Sequence, residues 1–265
     1  MKPIIFVLLS FLLFSFVANT HKNELEKAHI KGKVKTVTIS DYSVDLKTGK
    51  ADTLVQKEID HYDKNGNLIN SSLYSNKGKY MGGDTVQYVN EKHQVKEMEY
   101  DVKDGKVSQG RINIYKCDAN WNKLKALSYT RDTILINMDT FKYDNNRHLI
   151  EEVTGYFQIP PDKGFGKECC EFTKSGYTKY VYDSVGNDIE EDNYPNMVFS
   201  GKEKYKYDEK GNCIEVSGFD PSGKPRAAYT TKYENFDKKG NWQKMTRVQN
   251  NVADVITLRQ IEYYP

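Results

Sequence analysis

Apolar and polar residues alternate with a period of two along short stretches of this chain, and glycine-rich corners separate the stretches. In "KYVYD", from Lys179, Tyr180 and Tyr182 fall on one face of an extended segment, and in "KYKYD", from Lys204, Tyr205 and Tyr207 do the same. Beyond the next corner Ile214 and Val216 share a face while Glu215 takes the other. Alternation of this kind predicts half-buried β-strands. Helical spacing is absent after the first twenty residues, apart from one short turn in "NELEKAH".

One phrase, Tyr-Asp-x-x-Gly-Asn-x-Ile, aligns at residues 62, 88, 115, 143, 182, 207 and 236, so successive copies lie 26, 27, 28, 39, 25 and 29 residues apart. The clear copies are "YDKNGNLI", "YDSVGNDI", "YDEKGNCI" and "FDKKGNWQ"; the worn ones are "YVNEKHQV", "YKCDANWN" and "YDNNRHLI", with Lys92, Ala119 and Arg147 in the glycine slot. Each column has a physical task. Asp63, Asp144, Asp183, Asp208 and Asp237 sit where a side-chain oxygen accepts the N–H two residues on. Gly66, Gly186, Gly211 and Gly240 fall where a three-residue hairpin loop, a type I turn followed by a glycine bulge, needs a left-handed backbone. The tyrosine before the corner and Ile69, Ile150, Ile189 or Ile214 after it are strand formers.

Second corners, "SNKGK" at 75, "KDGK" at 103, "PSGK" at 221 and "QNN" at 249, halve the repeats. The expected architecture is therefore all-β: a single long, twisted and curled antiparallel β-meander built from hairpin repeats, about 14 to 17 strands in all. The terminal "RQIEYYP" is expected to close or cap one end. Calcium binding at the corners does not fit, because an EF-hand loop needs oxygen ligands at positions one, three and five and glycine at six, whereas glycine here is fourth.

The recurring "YDxxGN" resembles the YD repeats of the RHS family, and its Gly-Asn turns resemble those of bacterial MORN-like repeat proteins. The ending "FDKKGNWQKMTRVQNNVADVITLRQIEYYP" is similar to the closing segment of small exported RHS-repeat proteins, and "IKGKVKTVTISDYSV" looks like their first strand. The resemblance covers about residues 30 to 265. It implies a long curling β-sheet, which in large family members forms a hollow shell around a toxin; this chain is too short for such a shell. The family's sugar-binding association implies a carbohydrate ligand.

The first residues, "MKPIIFVLLSFLLFSFVANT", place Lys2 before an uncharged run from Pro3 to Ala18. That run is short for a membrane span, which needs roughly 20 apolar residues, and matches a secretory signal peptide over residues 1–20. The expected location is periplasmic, cell-surface or secreted, with no membrane attachment after cleavage. The repeat domain is then 21–265. Charge is nearly balanced at +2, with lysine and glutamate interspersed as on a solvated sheet face, so no basic stripe points to nucleic acid. Cys117, Cys169, Cys170 and Cys213 are too few for a disulfide scaffold.

No motif for nucleophilic, metal or phosphate chemistry occurs, and no catalytic residue, metal or cofactor is assigned. His93 and His148 stand in the asparagine column of worn repeats, which makes them corner residues. The 39-residue interval carries an insertion at about 156–177, "YFQIPPDKGFGKECCEFTKSGY", whose Pro160–Pro161 cannot lie inside a central strand. Tyr156, Phe157, Phe165 and Phe172 of this insertion, with the paired tyrosines Tyr180, Tyr182, Tyr205 and Tyr207, form the candidate ligand-binding set. The leading function is a non-catalytic binding or interaction module facing a glycan or an envelope protein. The alternatives are a structural or shielding element, and a hydrolase built on paired carboxylates.

Overall fold

A computed structural model describes residues 25, 28–89, 94–158 and 171–265. The proposed signal peptide, His93, Phe165, Cys169, Cys170 and Pro160–Pro161 lie outside the described residues. Sixteen strands follow in order: β1 (Val34–Asp45), β2 (Lys50–Tyr62), β3 (Leu68–Ser75), β4 (Tyr80–Val89), β5 (Gln94–Lys103), β6 (Lys106–Cys117), β7 (Lys123–Tyr129) and β8 (Leu135–Tyr143). The second half comprises β9 (Leu149–Gln158), β10 (Glu171–Tyr182), β11 (Asp188–Pro195), β12 (Gly201–Tyr207), β13 (Cys213–Phe219), β14 (Pro225–Phe236), β15 (Trp242–Gln249) and β16 (Val252–Tyr263).

The corners follow the turn chemistry. At Asp63 one carboxylate oxygen accepts the N–H of Asn65 (2.8 Å) and of Asn67 (2.9 Å), and the other accepts the Asn67 side-chain amide (3.0 Å). The same bonds recur at Asp183 and Asp208. His148 reproduces the asparagine's part, bonding Asp144 through its own N–H (2.8 Å) and ring Nδ1 (3.1 Å). Gly66 and Gly211 turn at φ 83° and 82°, as the bulge demands. The worn repeat near 115 reads differently from the sequence alignment. Asp118 is its turn aspartate and Asn122 its asparagine, so Trp121, at φ 61°, occupies the glycine slot in place of Ala119.

The expected open meander is overturned: the sheet is a closed barrel in which every strand pairs antiparallel with its neighbours in sequence and β16 pairs with β1. At the seam Val37 faces Ile261, Ile39 faces Arg259 and Asp41 faces Thr257. Closure removes both edges, whose unpaired N–H and C=O groups would otherwise template aggregation. The insertion also differs from a free loop, since residues 156–158 and 171–177 extend the β9–β10 hairpin.

The buried apolar residues gather at one end. Leu25, Ile30, Val34, Val37 and Tyr62 pack together with Ala28, Ile39, Leu68, Ile261 and Tyr263. Leu25 donates its N–H to the Gly66 carbonyl in the β2–β3 corner (3.4 Å), and Lys31 is bonded to Asn241 in the β14–β15 corner (2.8 Å). Between them His29 approaches Gly211 in the β12–β13 corner, so Leu25 and residues 28–33 lie over this mouth of the barrel.

Candidate functional site in the barrel lumen

Strand alternation divides the wall into two chemically distinct faces. On β14, Tyr229, Thr231 and Tyr233 are sheltered while Ala228, Thr230 and Lys232 are exposed, which identifies the tyrosines as lumen-facing. The pairing register carries that assignment around the wall. Inward come Val216 opposite Tyr229, Tyr205 opposite Val216, Glu191 opposite Glu203 and Tyr180 opposite Glu191. Further round, Asp139 faces Thr154, Tyr115 faces Ala126 and Asp84 faces Glu99. The lumen is thus lined by carboxylates and tyrosines. Its side chains are crowded but not sealed off: most are half-buried, and Tyr156 and Glu203 are exposed.

The outer face of the same strands is a surface of ion pairs. Glu190 binds Lys202 (2.9 Å) and Lys204 (3.1 Å), Lys206 binds Glu215 (3.0 Å) and Lys244 binds Glu234 (3.0 Å). A shorter apolar row, Met98, Ile112, Leu127 and Met138, runs across β5 to β8 between Lys96, Lys116 and Lys125.

The lumen cluster is densest on β9 to β12. Tyr180 donates to Glu152 (3.2 Å) and Tyr205 to Glu203 (2.8 Å), and Glu191 lies between them on β11. Asp188, opposite Tyr182, is 1 % exposed. Neither of its oxygens has a donor in full hydrogen-bond geometry; its polar neighbours are the Glu190 N–H and the Glu191 side chain, to which it can bond only by sharing a proton. Burial first, then the facing charge, pushes the Asp188 carboxyl up, and burial likewise raises Glu191 and Glu152. Burial and the Glu152 and Glu191 charges hold the Tyr180 hydroxyl far above its ordinary range.

A second acidic stretch covers β2 to β6. Ser71 donates to Glu58 (3.1 Å), Asn113 to Glu99 (2.8 Å) and Tyr115 to Glu97 (2.6 Å). Burial together with Glu97 and Glu99 pushes Asp84 up to about 7, and burial with Glu152 pushes Asp139 up to about 6. Positive charge is sparse on this face. Arg247 is committed to Asp254 (2.6 Å), Arg259 lies over the Trp242 ring (3.6 Å), and Lys123 lies over the Tyr115 ring (3.7 Å).

Of the sequence-derived set, Tyr180, Tyr182, Tyr205 and Tyr207 converge on the lumen around β11. Tyr156 is also on the lumen face, nearer the far end, opposite Asn137. Phe157 and Phe172 do not join them: they pair with each other, rings 5.5 Å apart, on the opposite face. Cys117 and Cys213 stand on β6 and β13, far apart in strand order. Sequence reasoning missed Glu152, Asp188, Glu191 and Glu203. The signal for Glu203 was the alternation itself, which puts it on the face of Tyr205 two residues on; Glu191 stands opposite Tyr180 on the neighbouring strand.

Among the described residues no group of three or more His, Cys, Asp or Glu side chains is arranged to hold a metal ion. Fold and site together define a closed antiparallel β-barrel with an acidic, tyrosine-lined lumen. No protein-family model and no curated protein matches the chain. Among solved structures it is similar to a porin-like protein of Bacteroides uniformis, with TM-score 0.56, 10 % identity and coverage of 86 % of this chain and 98 % of that one. That likeness is one of fold. A structure of TcdB2-TccC3-TEV matches at TM-score 0.27 and 12 % identity, covering 82 % of this chain and 15 % of that one. A putative outer membrane lipoprotein-sorting protein domain of Vibrio parahaemolyticus matches at TM-score 0.28 and 10 % identity, over 89 % and 88 % of the two chains. Both of these scores are too low to extend the comparison, so the YD-repeat resemblance stands on the sequence phrases alone.

Proposed function

We propose that this protein is an exported, water-soluble β-barrel of the cell envelope that binds its ligand in the lumen and performs no catalysis. The observation carrying this reading is the contrast between the two faces of β11 and β12. Outward, Glu190 pairs with Lys204 and Asp192 with Lys202; inward, Glu191 is opposed by Glu203. A membrane-spanning barrel presents lipid with an apolar band about 25 Å tall. Mid-strand Lys–Glu pairs on β11 to β15 are incompatible with such a band, so the barrel likeness supports a fold and not a pore.

Half-buried lumen side chains, with Tyr156 and Glu203 exposed, favour binding over the shielding alternative, which calls for an interior filled by the protein's own side chains. Asp188 and Glu191 form the nearest thing to a hydrolase dyad, but with Asp188 only 1 % exposed just one of the two acids is open to the lumen. A glycan or an envelope protein remains compatible as the source of the bound group.

Detergent phase separation and planar-bilayer recording test the reading. The purified protein is expected to stay in the aqueous phase and give no conductance steps. Partition into detergent together with stepwise conductance would replace the reading with a membrane pore.

A further inference from the structure

We infer that the β9–β12 part of the lumen is a binding site for an extended organic oligocation, a linear polyamine or an equivalent chain of amines; this deepens the lumen-binding reading and rests on it. Three observations converge. Glu191 and Glu203 occupy directly opposed positions on neighbouring strands, an arrangement that is destabilising when both are charged. The outer face of the same two strands avoids it at both neighbouring pairs, Glu190–Lys204 and Asp192–Lys202, so the strands can place opposite charges in register.

The second observation is Asp188, buried against this cluster with both oxygens lacking a donor in full hydrogen-bond geometry. Buried polar atoms in folded proteins are nearly all bonded, so a carboxyl whose nearest polar side chain is another acid marks a cluster short of positive charge. The third is the interleaving of rings with acids. Glu152, Tyr180, Glu191, Tyr205 and Glu203 succeed one another along the wall from β9 to β12. Strands about 4.8 Å apart place the outer two acids roughly 14 Å from each other, a distance an extended tri- or tetra-amine spans. Ammonium groups are attracted by carboxylates and by tyrosine faces alike. A single metal ion does not fit the arrangement, as the described acids do not converge on one point. Lys202 and Lys204, the nearest lysines on these strands, are held outside by Glu190.

Isothermal titration and thermal melting with spermine, at two salt concentrations, test the site. Wild-type protein is expected to bind spermine and melt several degrees higher in its presence, with the gain shrinking as salt rises. The Glu191→Gln/Glu203→Gln variant is expected to lose affinity at least tenfold, and the outer-face Glu190→Gln variant to keep it. The double variant removes repulsion, so it is expected to fold, and its spermine-free melt checks this. No binding to wild type, or equal binding by all three proteins, overturns the proposal. A parallel arm with maltohexaose separates the two levels. If spermine fails but maltohexaose binds and Tyr180→Phe/Tyr205→Phe weakens it, the oligocation is wrong and the lumen reading survives; if neither probe binds, both fall.

Discussion

Asn241 and Lys31, 210 residues apart, are joined by two hydrogen bonds: the Lys31 N–H donates to Asn241 Oδ1 (2.8 Å), and Asn241 Nδ2 donates to the Lys31 carbonyl (2.9 Å). In the other corners this asparagine turns inward to its own aspartate. Here Tyr263 takes that place, donating its hydroxyl to Asp237 and accepting from Asn241 Nδ2 (2.7 Å). One repeat has thus exchanged its internal bond for a clamp on the segment that covers the barrel mouth.

Replacing Asn241 by alanine is therefore expected to cost more than the same change at Asn67. Both lose corner bonds, but only Asn241→Ala also cuts the two bonds to the Lys31 peptide groups, at about 0.5–1.5 kcal/mol each. Urea melts measure the difference, and limited proteolysis should show faster cleavage in residues 28–33 of that variant alone. Equal destabilisation of the two variants would refute the clamp.

Glycines in this barrel serve two ends. Gly223 lies at φ 83° with open space around it, so Gly223→Ala is expected to cost about 1 kcal/mol through backbone strain. Gly83 is not left-handed, but a Cβ there would sit 2.1 Å from the Ser71 carbonyl oxygen on the neighbouring strand. Gly83→Ala should cost several kcal/mol, since strand backbone must move. Comparable melting temperatures for the two would mean that β3 and β4 pack less closely than described.

The opposed acids make a prediction about the ligand-free protein. Glu203→Gln removes a like-charge contact and is expected to stabilise it by a few tenths of a kcal/mol, whereas Glu190→Gln breaks outer ion pairs and is expected to destabilise it by less than 1 kcal/mol. Opposite signs in chemical denaturation support the inward and outward assignments. A loss of stability from Glu203→Gln would contradict them.

Raised carboxyl values carry a definite pH dependence. Asp84, Asp139 and Asp188 hold protons in the folded state at pH values where the unfolded chain has released them. The folded state therefore binds more protons, and stability falls as pH rises from about 4 through about 8. Melting temperature is expected to be several degrees higher at pH 5.5 than at pH 8 in the absence of ligand. A flat profile, or one rising toward pH 8, would remove the crowded acidic lumen.

Local chemistry was legible in the residues themselves. The Asp-x-x-Gly-Asn spacing determines hairpin corners because its hydrogen bonds and its left-handed glycine all lie within five residues, and alternation between corners puts Tyr180 with Tyr182 and Tyr205 with Tyr207 on shared faces. Closure was not legible. The pairing of Val37 with Ile261 and of Asp41 with Thr257 joins residues more than 200 positions apart, and a strand's own pattern is the same whether its outer edge is bare or paired. Nor did one strand at a time reveal which face was the lumen, so the aromatic columns stood out while the carboxylates opposing them did not. Nothing in the chain sets Glu191 and Glu203 apart from Glu190 and Lys204; only register and closure, set by every hairpin at once, decided that the first two meet side by side on the inner wall and the second two meet in water.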